Sequence, residues 1–143
     1  MNEDTIKLLR ETDAGCKMAI KSMQQIQDYV DDEELQKLIG ASIQNHKKME
    51  KEISAELHNQ GFEEKEPNPA ASAFSWMTTE MKLKLKDDNH QVSKILMDGC
   101  NMGIQGVSKY LNQYENASLS SKELAKRLVR EEESLMKDLR KYI

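Results

Sequence analysis

The sequence predicts an all-α protein, and three observations lead to this prediction. The chain of 143 residues is dominated by Lys, Glu, Leu, Met, Gln and Ala, which are good helix formers. Glycine is sparse, and the only two prolines, Pro67 and Pro69, lie close together near the middle of the chain. Apolar residues recur at alternating steps of three and four over long segments, as they do on the buried face of an amphipathic helix.

The N-terminal half of the chain predicts two long helices. Asp4 or Thr5 can cap the first, and the acidic run 31–34 can cap the second, where the helix dipole favours negative charge. Gly61 is placed to end the second helix as the residue after its C-cap. The predicted inward stripe of the first helix is Ile6, Leu9, Asp13, Cys16, Ile20, Met23, Gln27 and Val30. That of the second is Leu35, Ile39, Ser42, His46, Met49, Ile53 and Leu57.

The C-terminal half predicts two more long helices after a connection. Residues 62–67 are acidic and predict an exposed loop, whereas 70–86 predict a helix rather than an edge strand, because Met, Leu and Lys are not β-branched. A third long helix is expected over about residues 90–114, and Ser120 with Glu123 forms a capping box for a fourth. Their predicted inward stripes are Val92, Leu96, Gly99, Gly103, Gly106 and Tyr110, then Leu124, Leu128, Glu131, Leu135, Leu139 and Tyr142.

Helices of this length can bury their stripes only by packing side by side. Each is roughly 33 to 42 Å long, and none can bury its apolar face alone. A connection as long as 62–88 can return along the bundle, which would make the second and third long helices parallel. We therefore expect one domain, 1–143, folded as a four-helix bundle with a long, partly helical crossover between helices two and three.

At this level the chain resembles the ferritin-like superfamily, and within it small uncharacterised bacterial families. The resemblance rests on the architecture and on two segments, Thr12-Asp13-Ala14-Gly15 and Gly99-Cys100-Asn101-Met102-Gly103. It implies a ferritin-like four-helix bundle. Metal-binding members hold two iron or manganese ions with two Glu residues and two Glu-x-x-His motifs. This chain contains no Glu-x-x-His, so the resemblance implies a degenerate or lost di-iron site.

Four polar residues remain as weak candidates for a metal site. Asp13, His46 and Glu131 interrupt apolar stripes near the middle of the bundle, and Glu50 lies one turn after His46. Together they could hold a single iron, manganese or zinc ion, with Cys100 nearby. The preferred alternative is that these side chains satisfy each other by hydrogen bonds and fix the helix register, without a metal or other cofactor.

Composition excludes several functional classes. The net charge of -4 and the interspersed charges argue against a nucleic acid or membrane partner. The N-terminus lacks the pattern of a signal peptide, so a cytoplasmic location is expected. Cys16 and Cys100 are far apart and predict neither a disulfide framework nor a zinc ribbon.

The expected function is a non-catalytic bundle that acts through protein contacts, as a homodimer or within a larger assembly. Phe74 and Trp76 could form a self-association surface or could simply cap the core. The three glycines of the third long helix indicate either close helix approach or a pocket for a ligand or a partner's side chain. The alternative is a metal-binding ferritin-like protein or oxidoreductase with an atypical mid-bundle site.

Overall fold

A computed structural model describes residues 2–67 and 77–143, and these residues form five α-helices. The helices are α1 (Glu3–Gln27), α2 (Glu33–Asn59), α3 (Thr79–Leu83), α4 (Asn89–Gln113) and α5 (Leu119–Leu139), followed by a short 3-10 turn at Arg140–Tyr142. No described residue lies in a strand. The prediction of an all-α protein is confirmed.

Two helices begin earlier than the sequence predicted. The side chain of Asn2 accepts a hydrogen bond from the N–H of Thr5, so the two predicted caps, Asp4 and Thr5, both lie inside α1. Likewise Ser118, and not Ser120, caps α5. The reason is the same in both cases: several capping residue types occur in a row, and the first with extended backbone geometry takes the role.

The end of α2 follows the prediction. Gly61 has a φ of 81°, a left-handed conformation that glycine adopts without steric cost. Its N–H donates to the carbonyl of His58 at 3.0 Å, and the N–H of Phe62 donates to the carbonyl of Leu57 at 2.9 Å. These two bonds form a Schellman motif, and Phe62 packs against the core cluster that contains Leu57.

The connection after α2 is a loop with Glu63, Lys65 and Glu66 exposed, as the sequence predicted, but it is also attached to α1. Arg10 Nε donates to the carbonyl of Glu63 at 2.8 Å, and Lys65 Nζ lies 2.5 Å from a carboxylate oxygen of Glu11. Glu64 keeps only 20% of its side chain exposed. The acidic side chains of Glu63 and Glu66 face water, and hydrogen bonds and ion pairs in both directions attach the segment to α1.

The helix predicted over 70–86 is described only in its last part. There it consists of the five residues of α3, capped by Thr78, and it is followed by a turn in which Leu85 is buried. Phe74 and Trp76 lie outside the described residues. The Asp-Asp-Asn sequence at 87–89 does separate the crossover from α4, with Asp88 as the N-cap.

Two core clusters reveal the direction of the four long helices. One cluster joins the C-terminal halves of α1 and α5 to the N-terminal halves of α2 and α4; it includes Ile26, Leu139, Ile39 and Leu96. The other joins the opposite halves and includes Leu9, Leu128, Ile53 and Val107. Consequently α2 and α4 are parallel to each other and antiparallel to α1 and α5, as the long crossover predicted.

Packing within the bundle is uneven. α1 packs mainly on α2, and α4 packs mainly on α5, while α1 also contacts both α4 and α5. All seven residues of the predicted α2 stripe are buried.

In the described part of the chain, each helix is too short or too polar to serve as a membrane span.

Candidate functional site

Charged and polar side chains form two separate groups inside this bundle. The first, which we call the carboxylate cluster, comprises Asp13, Glu50, Glu64 and Glu66 around the ammonium of Lys17. The second, which we call the buried pair, is His46 of α2 with Glu132 of α5. A groove between α1 and α4 is the third feature of interest.

The carboxylate cluster is built by α1, α2 and the connection that follows α2. Lys17 Nζ lies 3.3 Å from Asp13, 2.8 Å from Glu64 and 3.9 Å from Glu50. A fourth contact, at 3.0 Å, reaches Glu66, whose side chain is mostly exposed. Because Asp13 and Lys17 are four residues apart on α1, the helix itself sets one side of the cluster.

Asp13 is the deepest member of the cluster. It has no exposed surface, and neither carboxylate oxygen makes a hydrogen bond with a described residue. Its contact with Lys17, at 3.3 Å, is an ion pair. A buried carboxylate normally accepts hydrogen bonds, so this side chain is placed at an energetic cost.

Burial and mutual repulsion control the ionisation of these groups. Burial raises the pKa of Asp13 to about 7, against the opposing effect of Lys17. Burial and the adjacent Glu64 also raise the pKa of Glu50. In contrast, the hydrogen bond from Lys17 lowers the pKa of Glu64 to about 2. Burial opposes protonation of Lys17, but Glu64 and Glu66 outweigh it, so the pKa of its ammonium is raised.

The buried pair lies in the middle of the bundle, and its hydrogen bonds fix the imidazole. His46 Nδ1 lies 2.8 Å from the carbonyl of Ser42, which can only accept, so Nδ1 carries a hydrogen. His46 Nε2 lies 3.2 Å from Glu132 Oε1. Burial alone would lower the pKa of His46, but the hydrogen bond and charge of Glu132 raise it above its usual value. The fold thus favours the protonated form of His46 more than the unfolded chain does.

The structure separates the four residues predicted as weak metal candidates. Asp13 and Glu50 belong to the carboxylate cluster, whereas His46 belongs to the buried pair. Glu131 lies at the edge, where its Oε1 accepts hydrogen bonds from Ser42 and Asn45 at 3.2 Å. The structure therefore brings Asp13 and Glu50 together, and it places His46 and Glu131 on either side of the Ser42 hydroxyl.

The partner of His46 is a residue that the sequence interpretation missed. Glu132 is 5% exposed, whereas Glu131 is only partly buried, so the inward stripe of α5 passes through residue 132. The prediction that Glu131 lies on this stripe was wrong. From Leu128 to Leu135 the stripe can step by three then four, or by four then three. Both are helical spacings, and only the rotation of α5 in the bundle decides between two adjacent glutamates.

A dinuclear metal site of the ferritin type does not fit the residues in the middle of this bundle. The imidazole of His46 already uses both ring nitrogens, and Glu132 is the single carboxylate that it contacts. Two ions would need several more carboxylates converging there. Nearby Cys100 is buried, and burial together with the charge of Glu132 raises the pKa of its thiol.

A groove of about 460 Å³ lies between α1 and α4. Its lining is mainly apolar; small residues and methionines from both helices form its walls, namely Ala14, Gly15, Met18, Ala19, Met23, Gly99, Met102, Gly103 and Gly106. Charged side chains occur at one end, at Glu11, Lys65 and Glu66, and on the floor at Glu132.

The sequence predicted that the three glycines of α4 lie on its inward stripe. In the structure they border the groove instead. The inward positions are Cys100 and Val107, while Gly99 is exposed. A methyl group added at Gly99 or Gly106 would meet no described atom within 4 Å. At Gly103 it would lie 3.4 Å from Glu132, an ordinary contact. Close helix approach therefore does not explain Gly99 and Gly106.

Comparisons with known proteins give a fold and a family. The crystal structure of a conserved hypothetical protein from Mycobacterium tuberculosis is similar over 100% of this chain and 99% of that chain, with a TM-score of 0.74 and 10% sequence identity. This likeness concerns the fold alone. A search of curated proteins finds no significant match. The model of a family described as a domain of unknown function, DUF2383, matches residues 4–95, which is more than half of the chain. The chain therefore belongs to the DUF2383 family.

Proposed function

We propose that this protein is a non-catalytic, ferritin-like bundle that acts through protein contacts, and that a second copy of the chain binds it through the groove between α1 and α4. The observation that carries the proposal is that one face of the molecule combines an apolar groove with an exposed apolar side chain at its rim. Met102 is that side chain, and 62% of it is exposed.

The order and direction of the helices support the ferritin-like classification. Two antiparallel pairs, α1 with α2 and α4 with α5, are joined by residues 60–88, and the helices on either side of this connection, α2 and α4, are parallel. A single long crossover between parallel second and third long helices is the arrangement of ferritin-like bundles, whereas an up-down-up-down bundle uses short loops.

The reactive groups support a non-catalytic role. Burial, with the nearby charge of Asp13, raises the pKa of the Cys16 thiol, and the Cys100 thiol is shifted in the same direction. Both thiols are therefore protonated and weakly nucleophilic near neutral pH. The imidazole of His46 is held between Ser42 and Glu132 with no exposed surface, so it is not available as a general base.

The lining of the groove has the composition of an interface core. Charged residues are depleted in the cores of protein interfaces, and methionine is enriched there because its flexible side chain adapts to a partner. Between its charged end and Ile26, the α1 wall offers only apolar and small polar side chains. The groove extends over sixteen residues of each wall, from Glu11 to Ile26 and from Ile95 to Tyr110, or roughly 24 Å along the helices.

Self-association is favoured over another partner because the face is self-complementary. Residues 99, 102 and 106 follow one another on the same side of α4, with Met102 projecting between two glycines. In a dimer with two-fold symmetry the same patch occurs on both subunits, so a protruding side chain and the space that receives it must share one face. Met102 of each copy would fill the space beside Gly99 or Gly106 of the other.

Sedimentation velocity over about 1 to 200 μM protein tests the proposal. We expect the native chain to shift from monomer to dimer in this range. Met102→Glu should remain a monomer, because it places a charge at the centre of the contact. Gly99→Leu should do the same by filling the groove. Asn101→Glu, which adds the same charge at an exposed position that does not line the groove, should dimerise like the native chain.

Two results would refute this proposal. A native chain that stays monomeric at the highest concentration excludes the second copy as the occupant, and the groove then remains as a site for a small apolar ligand, for which its volume is suitable. Dimers that form equally well with Met102→Glu would show that the contact lies on another face.

A further inference from the structure

Three carboxylates in the carboxylate cluster converge on one point. One ligand oxygen from each of Asp13, Glu50 and Glu64 lies within 4.8 Å of the other two. These residues come from three different segments, α1, α2 and the connection after α2, so helical spacing alone does not explain their proximity. Carboxylates this close repel each other when all are ionised, so they require a cation among them or a shared proton.

Asp13 supplies a second, independent observation. Its side chain is fully buried and faces the other two carboxylates, yet neither of its oxygens has a hydrogen-bond donor among the described residues. Buried carboxylates in proteins are normally hydrogen-bonded, ion-paired or bound to a metal ion. Here Lys17 Nζ approaches Oδ2 of Asp13 at 3.3 Å, and the carboxyl of Glu50 is the other neighbouring polar group that interacts with it.

Lys17 compensates this charge incompletely. Its single ammonium contacts four carboxylates, and the closest of these, Glu64, is also contacted by His58 at 3.0 Å. Among the described residues, Lys17 is the only cation that contacts Asp13 or Glu50. The lysine thus stands where a cation is needed and shares one positive charge among four carboxylates.

We propose that Asp13, Glu50 and Glu64 bind a divalent cation that prefers oxygen ligands, and that Lys17 occupies the same place when the cation is absent. Carboxylate oxygens suit Mg²⁺, Ca²⁺ and Mn²⁺. The ion enters from the side of Glu50 and Glu64, whose side chains are 21% and 20% exposed, and Asp13 forms the closed end. Lys17 then turns outward and keeps its contact with the exposed Glu66. This site lies apart from the buried pair and does not depend on self-association.

Manganese titration followed by electron paramagnetic resonance tests the site, because free and bound Mn²⁺ give different signal intensities. We expect the native chain to bind one Mn²⁺. Asp13→Asn should weaken binding on the order of tenfold or more, since affinity in such sites follows the number of charged ligands. Lys17→Gln should strengthen binding on the order of tenfold, because it removes a positive charge a few ångströms from the ion.

Glu66→Gln is the matched control. It removes a carboxylate that contacts the same lysine but is not among the three converging oxygens, and it should change the affinity by less than about threefold. Circular dichroism establishes that each variant is folded. If Asp13→Asn does not fold, Glu64→Gln replaces it, since that residue lies outside the helices.

The result with Lys17→Gln separates a cation site from an ion-pair network that only attaches the connection to α1. In the latter case the variant loses stability and binds no manganese at about 1 mM. That outcome, or equal manganese affinity of the native chain and Asp13→Asn, would overturn the proposal.

Discussion

Replacement of Glu132 should reveal how much the buried pair contributes to stability. The side chains of His46 and Glu132 are 0% and 7% exposed, so the native pair is largely withdrawn from water. Glu132→Ala leaves Nε2 of His46 without a hydrogen-bond partner and opens a cavity. Removal of one member of a buried ion pair costs about 3 to 5 kcal/mol, and we expect a loss in this range.

Glu132→Gln should cost much less. With Nδ1–H donated to the carbonyl of Ser42, neutral His46 presents Nε2 as an acceptor, and the amide of glutamine can donate to it. The variant therefore loses the charge interaction but keeps a hydrogen bond. We expect a loss of about 1 to 2 kcal/mol at pH 6. Urea denaturation followed by circular dichroism measures both variants.

The difference between the native chain and Glu132→Gln should depend on pH with a definite sign. The native fold raises the pKa of His46 above its unfolded value of 6.5, so the folded state binds this proton more tightly. The stabilisation is complete below about pH 6.5 and disappears as the pH rises through the folded pKa. Above that pKa the native pair becomes a neutral imidazole facing a carboxylate, and the glutamine variant should be at least as stable.

The reasoning would be refuted by a loss of less than about 1 kcal/mol in Glu132→Ala, or by equal losses in the two variants. The first result would mean that water satisfies the imidazole. The second would mean that packing volume, and not hydrogen bonding, determines the effect. An NMR titration of the His46 ring protons provides an independent check, because the resonance should titrate above pH 6.5 in the native chain and lower in Glu132→Gln.

Two further predictions concern glycines and helix caps, and urea denaturation measures both. Gly99→Ala and Gly106→Ala should each raise the free energy of unfolding by about 1 kcal/mol, because alanine is the better helix former and its methyl group would meet no described atom within 4 Å. Gly61→Ala should lower the free energy of unfolding by a similar amount, because Gly61 has a positive φ. A loss of stability in both α4 variants would mean that the groove is tightly filled. Ser118→Ala should cost about 1 kcal/mol and Ser120→Ala much less, since only the former residue caps α5; the opposite order would restore the capping box predicted from sequence.

Local patterns predicted well those features that depend on nearby residues. The α2 stripe, the end of α2 at Gly61 and the break before α4 all follow from residues within a few positions of each other. Caps were predicted less well where Asn, Asp, Ser or Thr occur in a row, because every one of them can accept the hydrogen bond and only the backbone conformation selects one.

Contacts between distant segments could not be predicted in the same way. The acidic sequence of the connection 62–67 predicts exposure to water. Its contact with α1 depends on the positions of Arg10, Glu11 and Lys17 in the folded bundle. Glu64 therefore had no signal in the sequence that would assign it to a site with Asp13. The sequence offered a pocket at the glycines of α4 only as one of two alternatives, because glycines on a helix indicate close packing as readily as empty space.

The sequence alone determined that this chain is helical and where its long helices lie, because helix propensity and apolar periodicity act through local geometry. It also indicated that the second and third long helices run parallel, because the crossover between them is long enough to reach from one end of the bundle to the other. The tertiary structure decided which polar residues meet. A small rotation of α5 exchanged Glu131 for Glu132 as the partner of His46, and the path of the connection brought Glu64 to Asp13. Helical periodicity allows α5 to turn either Glu131 or Glu132 inward, and only the packing of all the helices together selects one of the two rotations.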